Sequence, residues 1–90
     1  MDYEAFKASV REASERADSE GHPLSLPDLR RSLSTLLSRA EIDEYLLRLH
    51  REGRIHLLSH VDSALLSASE QADCLVHPSG LLLHWIRWLP

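Results

Sequence analysis

The feature that most constrains the fold of this chain is a change of hydrophobic period at Gly53. Before this glycine, apolar residues recur every three or four positions, which is the period of a helix buried on one face. Over residues 54–59 they alternate, which is the period of a strand. Ninety residues suffice for one hydrophobic core. We therefore predict a single α+β domain over residues 1–90.

The first helix is predicted over residues 2–19. Gly21 and Pro23 follow it, and these two residue types commonly end a helix. The apolar residues that line one face of this helix are Tyr3, Phe6, Val10, Ala13 and Ala17.

Two capping patterns divide the next part of the chain. Ser25 precedes Asp28 by three residues, and Ser38 precedes Glu41 by the same interval, as in a capping box at a helix start. A tight turn joins the two predicted helices, which makes them a helix-turn-helix candidate. The predicted elements are a short strand over 24–26, a helix over 27–34 and a helix over 38–52.

After Gly53 the chain predicts two strands with a long connection. The connection exceeds the usual length of a hairpin loop, which is about two to five residues. Ser67 and Glu70 form a third capping pattern inside it, which predicts a short helix. The predicted elements are a strand over 54–59, a connection over 60–80 with a helix over 68–75, and a strand over 81–89.

This order of elements resembles the winged helix-turn-helix family. The resemblance is carried by strand 24–26, helices 27–34 and 38–52, and the junction at 46–57, where a leucine-rich helix end meets Gly53, Arg54 and Ile55. It implies three helices plus a small antiparallel sheet, with the third helix entering the DNA major groove. The wing departs from the common form because it is enlarged and contains an extra short helix. In this respect the chain resembles winged-helix modules that are accessory parts of larger bacterial proteins.

The charge is acidic overall but uneven along the chain. The formal net charge is −4, with −3 in residues 1–20, +1 in residues 21–60 and −2 in residues 61–90. A net acidic chain is not a general nucleic-acid coat. One cysteine forms no internal disulfide, the N-terminus is polar, and no apolar run spans a bilayer. These features predict a cytoplasmic protein that does not cross a membrane.

The positive charge of residues 21–60 is entirely arginine, which suits contacts with phosphate. A surplus of one charge is small beside the roughly six to ten phosphate contacts of a sequence-specific reader. The sequence therefore predicts a regulatory module whose third helix contacts duplex DNA weakly, or through avidity in a dimer or a larger protein. Residues 55–86 contain no Lys or Arg, so the wing is not expected to contact phosphate. The candidate DNA-contacting residues are Arg30, Arg31, Arg39, Arg48, Arg51 and Arg54.

The alternative is an adaptor that binds another protein through the outer face of the third helix and the wing, and that binds no DNA. Leu47 is predicted on the outer face of the third helix, and Leu58 and Trp88 are further candidate contacts, since exposed apolar and Trp side chains are common at interfaces. The partner is then a separate protein, a fused domain or a second copy of the chain.

Catalysis, a cofactor and a metal site are not expected. No nucleophile elbow, phosphate-binding glycine loop or carboxylate pair stands in the sequence. The six histidines show no ligand spacing and are predicted at the surface or the rim of the core. Cys74 has apolar neighbours and is predicted to be a packed thiol.

Overall fold

The computed structural model describes residues 1–60, 62 and 65–90. The fold of these residues is α+β, and the observed bounds lie within two residues of the predicted ones. The short strand Leu75–Val76 was not predicted. The prediction for 60–80 includes residues 61, 63 and 64, which lie outside the described residues. The elements are α1 (Tyr3–Ser19), β1 (Leu24–Ser25), α2 (Leu26–Leu33), α3 (Arg39–Arg51), β2 (Ile55–Ser59), α4 (Ala68–Asp73), β3 (Leu75–Val76) and β4 (Leu82–Trp88).

The predicted capping residues begin their helices. At α3, the Ser38 hydroxyl accepts from the Glu41 backbone N–H at 3.1 Å, and the Glu41 carboxylate accepts from the Ser38 N–H at 3.0 Å. Ser67 and Glu70 form the same reciprocal pair at α4. Each pair satisfies backbone donors that the first helical turn leaves unpaired.

Gly53 ends α3 with a backbone angle φ of +72°. Its N–H donates to the His50 carbonyl at 3.1 Å, and the Arg54 N–H donates to the Leu49 carbonyl at 3.0 Å. These two bonds form a Schellman motif, which needs a left-handed residue at this position. The sharp end turns the chain directly into β2.

The sheet is antiparallel in the order β1–β4–β2, and β3 also pairs with β4. The register between β2 and β4 shifts by one residue, because Leu58 lies opposite Trp85 while Ser59 lies opposite Leu83. His84 is the extra residue of this bulge. A bulge changes the alternation of side chains, so Leu83 and Ile86 both contribute to the core.

One core joins the first three helices to the sheet. Its largest fully buried side chains include Phe6, Leu26, Leu46 and Ile86. Burying each contributes about 1.5–3 kcal/mol to stability. The turn between α2 and α3 takes part as well, since Leu37 is buried. None of the helices in the described part of the chain has the length and apolar character that a membrane crossing needs.

Candidate binding surfaces around the third helix

Helix α3 presents an exposed stripe opposite its buried one. Ile42, Leu46 and Leu49 face the core. On the other side Leu47 leaves 39% of its surface exposed. This is the outward face that the helical period predicts. The exposed residues of this face are Ala40, Glu44, Leu47, Arg48 and Arg51.

Arg30, a predicted DNA contact, is buried, with 8% of its surface exposed. Its Nε donates to the Asp73 carbonyl at 2.6 Å, and its Nη2 donates to Asp43 Oδ1 at 2.7 Å. The buried Nη1 has no hydrogen-bond partner among the described residues. Arg30 thus joins α2, α3 and the end of α4, so its guanidinium lies inside the fold and not at the surface, where a DNA contact was predicted.

Arg39 contacts the same carboxylate, that of Asp43, from the first turn of α3. Its Nε lies 4.0 Å from Asp43 Oδ2, and its Nη2 donates to the Cys74 carbonyl at 3.2 Å. Asp43 therefore lies between two guanidinium groups. Both arginines also hold backbone carbonyls where α4 ends, which fixes that part of the β2–β4 connection against α3.

Arg48 is held on the opposite flank of α3 by Tyr3 of α1 and by Glu52 at the end of α3. Its guanidinium carbon lies 3.8 Å from the ring centroid of Tyr3, and its Nε lies 3.6 Å from Glu52 Oε2. The Tyr3 hydroxyl donates to Glu52 Oε1 at 2.5 Å. Burial and this hydrogen bond raise the pKa of Tyr3 to about 12. The same bond is the main cause that lowers the pKa of Glu52.

The remaining candidate arginines lie at the surface. Arg31 pairs with Asp28 across one turn of α2, with both side chains largely exposed. Arg51 and Arg54 are exposed and form no ion pair within residues 1–60, 62 and 65–90. The six arginines therefore do not form one continuous surface of unpaired charge.

A groove of about 280 Å³ lies between α3, β2 and the β3–β4 hairpin. Leu57, Leu75 and Leu83 are among its lining residues. Three exposed aliphatic side chains also line it, namely Leu47 and, on the hairpin, Val76 (61%) and Leu81 (50%). No Asp, Glu, Lys or Arg side chain of the described residues lines this groove, which is called the α3 groove below. The remaining lining residues are His50, His77, Pro78 and Ser79.

The three predicted protein-contacting residues do not share one surface. Leu47 lines the α3 groove, whereas Leu58 is exposed on β2 opposite Trp85. Trp88 is half-buried against the core, and its backbone N–H donates to the Ser14 hydroxyl of α1 at 2.9 Å. Val76 and Leu81 complete the groove. They were missed because Val76 lies in the short β3, which has no detectable period, and Leu81 follows it just before β4.

Cys74 is fully buried, as the sequence predicts, and burial raises the pKa of its thiol. The prediction that the histidines lie at the surface or rim is wrong for His84, which is 3% exposed. Its position in the β4 bulge places it against Cys74 instead of solvent. Among the residues that the structure describes, no group of three or more His, Cys, Asp or Glu side chains is arranged to hold a metal ion.

Comparison with known proteins finds no counterpart: no family model, no curated protein and no solved structure matches the chain.

Proposed function

We propose that this chain is a winged-helix binding module without catalytic activity, and that it binds a protein partner through the α3 groove. The β1–β4–β2 order and the α2–turn–α3 pair support the winged-helix part of the proposal. In this reading β3, α4 and the β3–β4 hairpin belong to an enlarged wing. The continuous apolar surface formed by Leu47, Val76 and Leu81 carries the functional part.

The proposed occupant is an amphipathic segment with apolar anchors and an acidic flank. The groove is no larger than the smallest small-molecule pockets, which begin at about 300 Å³. It suits one or two apolar side chains of a partner helix, a common mode of peptide recognition. Arg51 lies one helical turn beyond Leu47 and has no ion pair among the described residues. A partner carboxylate beside the anchor would complement that charge.

The direct test is fluorescence anisotropy with two labelled peptides. Both carry leucines on one helical face, and one has glutamates and the other lysines elsewhere. We expect the glutamate peptide to bind more tightly. Leu47→Asp should weaken the binding of the glutamate peptide by at least about tenfold, because this substitution removes the central apolar contact.

Two further variants sharpen this test. Leu36→Asp is the matched control, since Leu36 is an exposed leucine in the turn between α2 and α3. It should leave affinity unchanged. Arg51→Glu should reverse the preference toward the lysine peptide. Equal weakening by Leu36→Asp and Leu47→Asp, or no preference between the peptides, would overturn the proposal.

Weak contact with duplex DNA is the second candidate, and Arg51 and Arg54 favour it, because both are exposed and neither has an ion pair with another described residue. The variant that tests it is Arg51→Glu/Arg54→Glu, because Arg48 also packs on Tyr3 and its replacement would disturb the fold. Anisotropy at low salt should show binding that weakens as salt rises. Arg11→Glu/Arg16→Glu on α1 makes the same charge change elsewhere. DNA binding that both double variants reduce equally would argue against contact through α3.

A further inference from the structure

Two histidine rings pack against each other beside one wall of the α3 groove, His84 in the β4 bulge and His60 directly after β2. Their ring centroids lie 5.3 Å apart, with the rings edge to face. The Trp85 indole packs against both rings, 6.0 Å from that of His60 and 4.5 Å from that of His84. His84 is 3% exposed, whereas His60 is partly exposed. Because a charged imidazole repels another at this distance and burial disfavours the charged form, a proton on His84 is unfavourable in this packing.

The buried ring of His84 contacts the segment that leads into β3. Its Nδ1 lies 3.5 Å from the Cys74 sulfur. Cys74 directly precedes Leu75, which is buried, lines the α3 groove and lies opposite Leu83 in the sheet. A displacement of Cys74 from His84 therefore moves a side chain of the groove.

Helix α4, which has Cys74 as its C-terminal cap, is held mainly by its end. It contains six residues, and none of them is buried. Its last carbonyls, of Asp73 and Cys74, accept hydrogen bonds from Arg30 and Arg39. Segments with few buried contacts open locally at a low cost in free energy. The α4–β3 segment, residues 68–76, is therefore expected to open more readily than the helices that supply the core.

The surroundings of His84 favour its neutral form while this segment is closed. Burial is the main cause that lowers the pKa of His84 below its ordinary value of 6.5, and His60 adds to this. Glu70 of α4 and Asp28 of α2 act in the opposite direction. After the segment has opened, His84 regains its ordinary pKa, so opening becomes more favourable as pH falls below 6.5. The other titratable or charged groups around this site are Cys74, Arg30, Arg39, His22, Arg31 and Asp73.

We propose that the His60–His84 pair makes the β3 wall of the α3 groove sensitive to pH, because protonation of His84 releases the α4–β3 segment from β4. The released segment carries Leu75 and Val76 away from Leu47, so the open form lacks the groove. The effect on binding rests on the proposed function, whereas the opening rests on the contacts of the histidine pair.

The test is amide hydrogen exchange, expressed as protection factors so that the intrinsic pH dependence of exchange cancels. The reporters are the N–H groups of Cys74 and His77, which donate to the carbonyls of Gln71 and Leu81. Both should be less protected than the amide of Val10, a core residue of α1. Between pH 7.5 and 5.5 their protection should fall about three- to tenfold, since about tenfold is the limit for one group with an ordinary pKa of 6.5.

Three variants assign the pH response. His84→Gln should abolish it, because the amide side chain does not take up a proton in this range. His60→Gln leaves the buried ring in place and should reduce the response, because His84 then loses its unfavourable neighbour. His56→Gln is the matched control, since His56 is exposed on β2 opposite Arg87. The proposal is overturned by unchanged protection across this pH range, by reporters as protected as Val10, or by a response that survives both His84→Gln and His60→Gln.

A peptide links the opening to binding. The probe is the amphipathic leucine peptide with glutamines in place of its glutamates, because protonated His50 and His77 in the groove would attract glutamates. At a free concentration ten times its Kd it should raise the protection of both reporters about tenfold, since it binds the closed form alone. Binding without added protection would contradict the proposal. Absence of peptide binding would instead contradict the proposed function, and exchange in the free chain would still decide the pH response.

Discussion

The two sides of α3 use arginine for different purposes. Toward α2, Arg30 and Arg39 converge on Asp43 and bond to backbone carbonyls at the end of α4. On the exposed stripe, Arg51 has no ion pair among the described residues and stands beside the apolar Leu47. The number of arginines in residues 21–60 therefore overstates the positive charge that a ligand can reach.

The two settings also differ in energy. A buried ion pair loses much of its Coulombic gain to desolvation, but removing one partner leaves the other charge uncompensated. An exposed pair contributes little either way. Substitutions in the cluster of Arg30, Arg39 and Asp43 should therefore change the stability of the fold. Substitutions on the exposed stripe of α3 should change binding instead.

The largest expected effect on stability is at Asp43, which lies between Arg30 and Arg39. Asp43→Ala should lower the free energy of unfolding by about 3 kcal/mol, because it leaves Arg30 as a buried cation without its carboxylate. Asp28→Ala breaks the exposed pair with Arg31 and should cost less than about 1 kcal/mol. Urea denaturation measures both. An equal loss of unfolding free energy in the two variants would contradict the distinction between the buried pair and the exposed pair.

A smaller effect on stability is expected on the flank of α3 that faces α1, where Tyr3 contacts Glu52. Tyr3→Phe removes the hydrogen bond to Glu52 and should lower the free energy of unfolding by about 1 kcal/mol. The ordinary pKa of tyrosine is 10.0 and that of Tyr3 in the fold is about 12. The unfolded chain therefore loses this proton first, and stability should fall as pH rises between these values.

The same bond has an opposite signature at acid pH. The pKa of Glu52 is lowered in the fold, so its contribution is present above the ordinary carboxyl value of 4.5 and is lost as pH falls through the lowered one. Denaturation midpoints across pH should show both losses in the parent chain. A Tyr3→Phe variant with an unchanged alkaline profile would contradict the account of this flank.

The smallest effect on stability is expected at the exposed stripe. Leu47→Asp should change the free energy of unfolding by less than about 1 kcal/mol, because Leu47 is 39% exposed and lies outside the core cluster. Leu46→Ala, at the neighbouring and fully buried position, should cost about 3 kcal/mol. If Leu47→Asp destabilises the protein as much as Leu46→Ala does, the exposed stripe of α3 belongs to the core and is not a binding face.

Local signals predicted most of the fold. The capping residues Ser38 and Ser67 and the turn glycine Gly53 act through neighbours within a few positions, so their roles are visible in sequence. Strand β3 was missed because two residues are too few to show a period, and its position depends on pairing with β4.

The candidate site was less predictable because it depends on contacts between distant residues. Arg30 lies four residues after Leu26 and three before Leu33, on the buried face of α2, and this spacing was the available signal of its burial. Its partner Asp43 is one residue from Ile42 on a different helix. The burial of His84 depends on the register shift opposite Leu58, which nothing in the local pattern indicates.

The most direct test of the central claim is an NMR titration of the ¹⁵N-labelled chain with the glutamate-bearing amphipathic peptide. We expect amide shifts centred on Leu47, Val76 and Leu81, no comparable shifts at Arg30 and Asp43, and loss of binding in Leu47→Asp. Shifts centred elsewhere, or unchanged binding by Leu47→Asp, would contradict the claim that the exposed stripe of α3 and the β3–β4 hairpin form the binding face.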